Sequence, residues 1–304
     1  MNVLEVRDLH KSYRLGFWLK KFEVLKGLTF SVKKGEVFGF LGPNGAGKST
    51  TIKSILSIVK IDRGQILIDS IEHTKYEARR NLGYLPENPY YYDYLTAREI
   101  VEYMGYLSGL DGKKLKENTA LVLKKVGLEG KEDIKIRNFS KGMVQRVGLA
   151  SAIVHFPKLL ILDEPMTGLD PIGRKIFRDI FIELKNQGTT IFFSSHILTD
   201  VELIADRILI LNKGQKVLED SLISILNSRK GDYEIIIQGE VKDLPIKPKI
   251  LNIEGNFTKI IIEEDKKQEF LKFLLEEGLD IKSLDIANKN LEDIFSDIIK
   301  DERN

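Results

Sequence analysis

The chain has 304 residues, a length that predicts one large domain and a smaller one. Its hydrophobic content of 42% and charged content of 30% are typical of a soluble globular protein and argue against disorder. The net charge of +2 is nearly balanced, so charge alone does not indicate nucleic-acid binding. The lack of cysteine excludes disulfides, thiolate metal sites and cysteine catalysis, and it suits a reducing compartment.

Neither a membrane-spanning segment nor a signal peptide is visible in the sequence. No stretch approaches the roughly 18–20 apolar residues that a spanning helix needs. Residues 1–5 lack the basic segment followed by an apolar core that marks a secretory signal. We therefore expect a cytoplasmic chain that reaches a membrane only through a partner.

The first elements along the chain are predicted strands. Alternating apolar and polar residues at 3–7 predict a strand at the exposed edge of a sheet, and residues 28–32 predict another. Residues 15–23, which contain the only tryptophan, Trp18, predict a hairpin tip. The apolar run at 37–41 is typical of a buried strand.

Short apolar strands then alternate with helical segments. The predicted strands cover residues 66–68, 82–85, 159–162 and 190–194. The predicted helices begin in a glycine-rich loop after residue 41 and then cover residues 96–126, 140–151 and 174–185. Buried strands that alternate with helices predict a mostly parallel sheet covered on both faces.

The pattern changes after Val217. A linking helix is predicted at residues 221–226. Beyond it, the predicted strands cover residues 233–237, 259–262 and 281–286, and the predicted helices lie around residues 270–275 and 291–298. These elements predict a small α+β domain without a motif that indicates chemistry.

A glycine-rich loop lies between the buried strand at 37–41 and a helix. Its residues are Gly42, Pro43, Asn44, Gly45, Ala46, Gly47, Lys48, Ser49 and Thr50. This is the P-loop pattern, in which backbone N–H groups and the helix N-terminus cradle nucleotide phosphates. We expect Lys48 to reach the β- and γ-phosphates, Ser49 to bind Mg²⁺ and Thr50 to contact the α-phosphate. The alternative, a glycine turn with an incidental lysine, leaves the correct flanking elements unexplained.

Two adjacent carboxylates end the predicted strand at 159–162. Because side chains alternate along a strand, Asp163 and Glu164 point in different directions and can hold different roles. Asp163 suits Mg²⁺, usually through water, and Glu164 is then placed to polarise the water that attacks the γ-phosphate. The alternative is a solvated acidic strand end, which is common in isolation.

A serine and a glycine begin the helix that follows Phe139. The hydroxyl of Ser140 and the N–H of Gly142 form an anion site by the same physics as the P-loop. In isolation, a simple serine cap is the more ordinary interpretation. Because this turn lies far along the chain from the P-loop, the two anion sites need not serve the same nucleotide.

Taken in order, these segments resemble the nucleotide-binding subunit of an ABC transporter over residues 1–220. The matching segments are Walker A at 42–50, the signature at 140–143, Walker B at 159–164, the D-loop at 166–170 and the switch histidine at His196. The resemblance implies an ATPase that uses ATP and Mg²⁺. It also implies a head-to-tail dimer in which Ser140 and Gly142 contact ATP held by the partner's Lys48.

The same resemblance implies roles for further residues. Tyr13 stands where the family stacks an aromatic ring on adenine, with ordinary packing as the alternative. His196 is implied to contact the γ-phosphate, and Asp170 to act across the dimer contact unless it only caps a loop. The tyrosine-rich residues 90–94 lie where the family receives a membrane permease, and local packing is the alternative.

Two residues depart from the usual family pattern. Lys141 replaces the first of two adjacent signature glycines, where it either adds charge near the phosphates or points to solvent. Glu87 replaces the usual glutamine, and we expect it to contact Mg²⁺ or its water and to take part in catalysis. Both departures resemble the drug- and antibiotic-export branch, whose C-terminal extension ends in a pattern like residues 291–295.

The predicted fold class is α/β: a P-loop NTPase core with a parallel sheet, an antiparallel β subdomain and a helical subdomain over residues 1–220, and an α+β accessory domain over 221–304. We expect an ATP-hydrolysing subunit that powers an exporter, is held on the inner face of the membrane by a permease, and binds no nucleic acid. The alternative is a soluble ABC ATPase acting on nucleic acid or ribosomes, which the single uninterrupted cassette disfavours.

Overall fold

The structure is a computed structural model that describes residues 1–15, 20–227, 232–239, 244, 248–286, 291 and 295. It divides into two compact units, Met1–Leu222 and Ile223–Asn304. In the described part of the chain, no helix combines the length and the apolar character needed to cross a bilayer.

The elements alternate along most of the chain. In chain order, the strands are β1 (Asn2–Leu15), β2 (Lys20–Lys33), β3 (Val37–Leu41), β4 (Arg63–Ile68), β5 (Ile71–Glu72), β6 (Leu82–Leu85), β7 (Leu159–Leu162), β8 (Thr190–Ser195), β9 (Arg207–Asn212), β10 (Gln215–Ser221), β11 (Tyr233–Gln238), β12 (Ile250–Glu254), β13 (Phe257–Ile262) and β14 (Asp280–Ile286). The helices are α1 (Lys48–Ile55), α2 (Tyr76–Arg79), α3 (Ala97–Leu107), α4 (Gly112–Lys125), α5 (Lys141–Ile153), α6 (Pro171–Asn186), α7 (Leu198–Glu202), α8 (Leu222–Asn227) and α9 (Lys267–Glu276).

An antiparallel sheet in the first unit has the order β2-β1-β4-β5. β1 lies inside this sheet, because it pairs with β2 on one side and with β4 on the other. The prediction that residues 3–7 form an edge strand is therefore wrong. Leu4 and Val6 are buried whereas Arg7 is exposed. The alternation therefore shows that one face of β1 is buried, but it does not show whether neighbouring strands pair with its backbone.

The second sheet of this unit has the order β10-β9-β3-β8-β7-β6, and all its pairs are parallel apart from β10 with β9. The mostly parallel sheet is therefore confirmed, and β9 and β10 extend it beyond the predicted strands. β3 and β7 are buried along their whole length, as expected for parallel strands. β3 leads into the glycine loop, β7 into Asp163 and β8 into His196, so one sheet edge collects the candidate site residues.

An aromatic cluster joins the two sheets. Phe30 of β2 stacks on Phe38 and Phe40 of β3, at centroid distances of 5.9 and 5.6 Å. Phe192 of β8 lies 5.8 Å from Phe30. All four rings are buried, and full burial of each contributes about 1.5–3 kcal/mol. The cluster thereby holds β2 against the strand that leads into the glycine loop.

The helical segment predicted at residues 96–126 consists of two helices, α3 and α4. α3 begins with a capping box, in which Thr96 Oγ1 accepts from the backbone N of Glu99 at 3.2 Å and Glu99 Oε2 accepts from the backbone N of Thr96 at 2.8 Å. After α3 ends, Gly109 adopts a φ of 88°, a left-handed conformation that stops the helix before α4 begins.

The second unit contains an antiparallel sheet of order β12-β13-β11-β14. Its core residues, contributed by β11, β13 and α9, are Ile235, Ile237, Ile260, Ile262, Phe270 and Leu274. These elements make an α+β unit, to which β12 adds a strand beyond those predicted. The hairpin tip with Phe17 and Trp18 lies outside the described residues, as does the predicted helix at 291–298 apart from Leu291 and Phe295, which are helical.

Gly214, in the turn between β9 and β10, supports the glycine loop. Its N–H donates to Ala46 O at 3.0 Å, and its carbonyl accepts from the N–H of Lys26 at 3.0 Å. Its φ is 82°, and a Cβ there would lie only 2.0 Å from Val24 O. Gly188 has a similar φ of 89° but open space around it.

We predict that G214A lowers the melting temperature clearly more than G188A does. Both substitutions force an alanine into a left-handed backbone, at a cost of about 1–3 kcal/mol, but only G214A also pushes the β9–β10 turn away from Val24. Thermal unfolding of the two variants tests this. Equal melting temperatures would contradict the close approach of this turn to β2.

Candidate active site

A cavity of about 640 Å³ opens at the carboxyl edge of the parallel sheet. Its lining comprises Phe22, Val24, Pro43, Asn44, Gly45, Gly47, Lys48, Ser49, Thr50, Glu87, Glu164, Thr167 and His196. The cavity thus brings together the glycine loop, one carboxylate that follows β7 and the histidine that follows β8. Asp163 lies directly beneath, hydrogen-bonded to Ser49.

Two members of the glycine loop, Gly42 and Ala46, lie outside this lining and hold the loop in place. A Cβ on Gly42 would lie 2.4 Å from Leu211 O, so only glycine allows this approach to β9. Ala46 is buried. Gly47 precedes α1 with a φ of 111°, which turns the chain into the helix and directs the backbone toward the cavity.

Lys48 is a buried cation at the base of the cavity. Its Nζ donates to Gly42 O at 2.7 Å and lies 3.2 Å from Glu164 Oε1. The two side chains are only 6% and 7% exposed. An ammonium and a carboxylate buried this deeply stabilise each other's charge, and removing either would leave the other uncompensated.

Glu164 is held by contacts on its backbone and on both carboxylate oxygens. Its N–H donates to Ser194 Oγ at 2.9 Å, and its φ of 49° places the residue in the left-handed region. His196 Nδ1 lies 2.7 Å from Glu164 Oε2, and the backbone N of His196 donates to the same oxygen at 3.3 Å. An ionised carboxylate only accepts, so opposite an ionised Glu164 the proton of this contact is on Nδ1, and Nε2 is left for another partner.

Asp163 and Ser49 provide two oxygen groups suited to a magnesium ion. Asp163 Oδ1 accepts from Ser49 Oγ at 3.3 Å and from Ser194 Oγ at 2.7 Å. Among the residues that the structure describes, no cluster of three or more His, Cys, Asp or Glu could hold a metal. Mg²⁺ is commonly bound through one or two protein oxygens together with water and substrate phosphates.

The second predicted anion site does not share this cavity. Ser140 caps α5, with its Oγ accepting from Met143 N at 3.3 Å, and both Ser140 and Lys141 are exposed. Within the described chain, the lining of the cavity includes neither Ser140 nor Gly142. The side chain of Lys141 runs over Gly168, with carbon and nitrogen atoms 3.3–3.4 Å from the position of a Cβ there.

Asp170 and Glu87 differ in their surroundings. Asp170 caps α6, accepting from Gly173 N at 2.9 Å, so a single chain shows the loop-cap arrangement. Glu87 is exposed and contributes to the rim of the cavity. Its carboxylate is therefore accessible from the space in which nucleotide phosphates would lie.

The aromatic residue in the cavity wall is Phe22. Tyr13 pairs with Phe22 across β1 and β2, so the two side chains share one face of the sheet. Phe22 is 56% exposed and lines the cavity, whereas Tyr13 does not line it and has Lys11 Nζ 5.1 Å from its ring centroid. Phe22 and Val24 alternate along β2, and that alternation is the sequence signal that identifies them as neighbours on this face.

The sequence of this chain is similar to those of known proteins. The family model for ABC transporters matches residues 25–167. An ABC transporter ATP-binding protein of Synechocystis sp. is 44% identical over 241 residues, which cover 78% of this chain and 68% of the relative. The bacitracin transport ATP-binding protein BcrA of Bacillus licheniformis is 35% identical over 282 residues, covering 90% of this chain and 91% of BcrA.

Solved structures give the same result. An ATP-binding subunit of an ABC transporter superposes with a TM-score of 0.67 and 34% identity, covering 74% of this chain and 92% of that chain. A dimeric ATP-binding cassette in a post-hydrolysis state with ADP and phosphate bound superposes with a TM-score of 0.66 and 26% identity, covering 72% and 98%. These matches confirm the predicted family, the P-loop NTPase fold class and the assignment as an ATPase. The chain belongs to the ATP-binding proteins of ABC transporters.

Proposed function

We propose that this chain is the ATP-hydrolysing subunit of an exporter and that ATP closes two copies of it head to tail. The main support is the separation of the two anion-binding turns: Lys48 lies in the cavity, whereas Ser140, which is exposed, and Gly142, which is half-buried, lie at a helix start outside its lining. The first N–H groups of a helix lack intrahelical partners and can bind the phosphates of a nucleotide held by another copy, although that of Met143 already donates to Ser140 Oγ. Two copies together then supply both turns to each ATP.

Hydrolysis in this cavity uses the contacts of Glu164. When a triphosphate enters, Lys48 exchanges its contact with Glu164 Oε1 for phosphate oxygens, which frees Oε1 to accept a proton from the attacking water. Oε2 keeps its contact with His196 Nδ1, and this contact fixes the carboxylate. The remaining ring nitrogen, Nε2, is proposed to contact the γ-phosphate; for this contact Nε2 also carries a proton, so that it donates to the phosphate oxygen.

Magnesium belongs to the same proposal. Ser49 and Asp163 would hold it, and Glu87, which lines the same cavity, would contact it or its water. When bound, Mg²⁺ neutralises charge on the β- and γ-phosphate oxygens. Asp170, which caps α6 in each chain, lies at the start of the helix that we place at the contact between the two copies.

Mixed dimers test the shared site. We predict that K48A and G142D are each inactive alone, and that their equimolar mixture recovers about a quarter of wild-type ATPase activity, since half of the dimers are mixed and each has one intact site. G142D should fold, because a carboxylate in the first turn of α5 suits the helix dipole while repelling phosphate.

The matched control mixes K48A with E164Q. Lys48 and Glu164 line the same cavity of one chain, so this mixture should stay inactive. If K48A and G142D also fail to complement each other while both variants bind to wild-type chains, the shared site is wrong.

We propose that adenine stacks at the Tyr13–Phe22 pair, with Phe22 as the wall of the cavity. We predict that F22A raises the Kd for ATP about tenfold, since stacking of a base on an aromatic ring contributes about 1–3 kcal/mol, and leaves the Kd for inorganic tripolyphosphate unchanged. Titration of both ligands measures this. F257A, which removes a half-exposed phenylalanine of the second unit, should change neither Kd. An equal loss for both ligands would show that Phe22 does not act on the base.

A patch of exposed tyrosines supports the proposed membrane permease as a partner. Tyr90, Tyr92, Tyr94, Tyr103 and Tyr106 are each at least 58% exposed, and the tyrosine patch is the pair among them that is in contact, Tyr92 and Tyr94. Tyr92 and Tyr94 stack with centroids 5.6 Å apart. Tyr91 differs, because its side chain is half-buried and burial raises its pKa. Within the tyrosine-rich residues 90–94, we therefore assign the docking surface to Tyr92 and Tyr94 and not to Tyr91. BcrA, a relative named for bacitracin transport, supports export as the process.

The double variant Y92A/Y94A tests this docking surface. We predict that it loses sedimentation with the membrane fraction of its source cells while the purified chain keeps its ATPase activity, because large aromatic side chains dominate interface energetics and these two lie outside the cavity lining. Y76A, which removes a tyrosine that is 69% exposed on α2, is the matched control and should still sediment. Unchanged sedimentation of Y92A/Y94A would contradict the assignment.

A further inference from the structure

The two groups proposed to act on the attacking water belong to separate loops. Glu164 begins the loop that runs to Asp170 at the start of α6, and His196 begins the loop that leads into α7. At the cavity, these loops touch where Glu164 Oε2 lies 2.7 Å from His196 Nδ1 and accepts from the backbone N of His196 at 3.3 Å. Both contacts converge on one carboxylate oxygen, so they join the two loops at one point.

A second tie joins the same two loops away from the cavity. Arg174 on α6 donates from Nε to Leu169 O at 3.3 Å, near the end of the first loop. Its Nη1 donates to Asp200 Oδ2 at 3.4 Å, on the helix that follows the second loop. The planar guanidinium thereby bridges a backbone carbonyl of one loop and a carboxylate behind the other. The two loops are therefore joined twice, by Glu164 and His196 at the cavity and by Arg174 away from it.

The carboxylate at this tie is buried and depends on its cations. The side chain of Asp200 is 5% exposed. Burial raises its pKa, and the charges of Arg174 and Arg178 oppose that rise. Both arginines line a cleft of about 430 Å³ with Asp200, and of these two described side chains it is Arg174 that donates to the loop at Leu169. Arg178 therefore supplies charge at this cleft without forming the bridge.

We infer that Arg174 is a positioning residue for hydrolysis: by tying Leu169 to Asp200, it holds Glu164 and His196 at hydrogen-bonding distance. This inference rests on the roles proposed above for Glu164 and His196. Arg174 itself lies outside the lining of the nucleotide cavity. Its effect is therefore on the rate of the chemical step and not on nucleotide binding.

The experiment compares R174K with R178K in steady-state ATPase assays of the full chain. A lysine at 174 keeps the positive charge beside Asp200, but a single ammonium on a flexible stem does not reproduce the fork that reaches both Asp200 and Leu169. We expect R174K to lower kcat about tenfold, since small misplacements of catalytic groups cost this much or more, with KM for ATP unchanged. R178K, which alters the same cleft without a loop contact, should keep wild-type kcat and KM.

A double variant separates positioning from general destabilisation. If Arg174 acts through the histidine, R174K/H196A should be no slower than H196A alone. The inference would be overturned if the losses of kcat in R174K and H196A multiplied in the double variant, or if KM rose as much as kcat fell. It would also be overturned if R174K kept the wild-type kcat while H196A was impaired. If H196A itself keeps full turnover, the proposed role of His196 fails, and the inference fails with it.

Discussion

The arrangement of the site depends on keeping the buried carboxylate of Glu164 charged. Removing a carboxylate from water is costly unless cations and hydrogen-bond donors surround it. Here Lys48 lies on one oxygen and His196 lies on the other, while Ser194 fixes the residue by accepting from the backbone N–H of Glu164. Lys48 follows β3, Ser194 belongs to β8 and His196 follows β8. Both strands lie in the interior of the sheet, with further strands on each side of the pair. The sheet therefore has to be assembled before the carboxylate can be accommodated.

The same charge balance connects nucleotide binding to chemistry in the proposed mechanism. Lys48 has one ammonium to share between Glu164 and phosphate oxygens, so an incoming triphosphate changes the surroundings of the carboxylate at the moment when water has to be activated. The freed carboxylate is useful only if its position is retained. The contact with His196 holds the carboxylate at the cavity, and the bridge made by Arg174 holds the same two loops at a second point.

In the proposed function, two surface features of the chain bind partner chains. The start of α5 presents Ser140 and Gly142 away from the cavity that holds Lys48, and the tyrosine patch presents apolar rings to solvent. Neither feature is required to stabilise the core of the first unit, which is formed by buried strands and by the phenylalanines between the two sheets. Both surfaces are therefore available for contacts with other chains.

The sequence by itself determined the local chemistry. The P-loop, the carboxylates at the end of β7, the serine cap of α5 and the position of His196 are short patterns read within one strand–loop–helix segment, and the structure has each on its predicted element. Interpreting β1 as an edge strand failed because alternation records burial of a face and not hydrogen bonding to neighbouring strands.

Only the tertiary structure decided which distant residues meet. Tyr13 and Phe22 are direct neighbours across a hairpin, so their pattern alone cannot show that Phe22 is the one at the cavity. Ser194 meets Asp163 across neighbouring strands, and Arg174 meets Asp200 between helices that are separated by a whole strand. Spacing in sequence fixes distance only within one element, whereas contacts between elements are set by how the sheet orders its strands and how the helices pack on it.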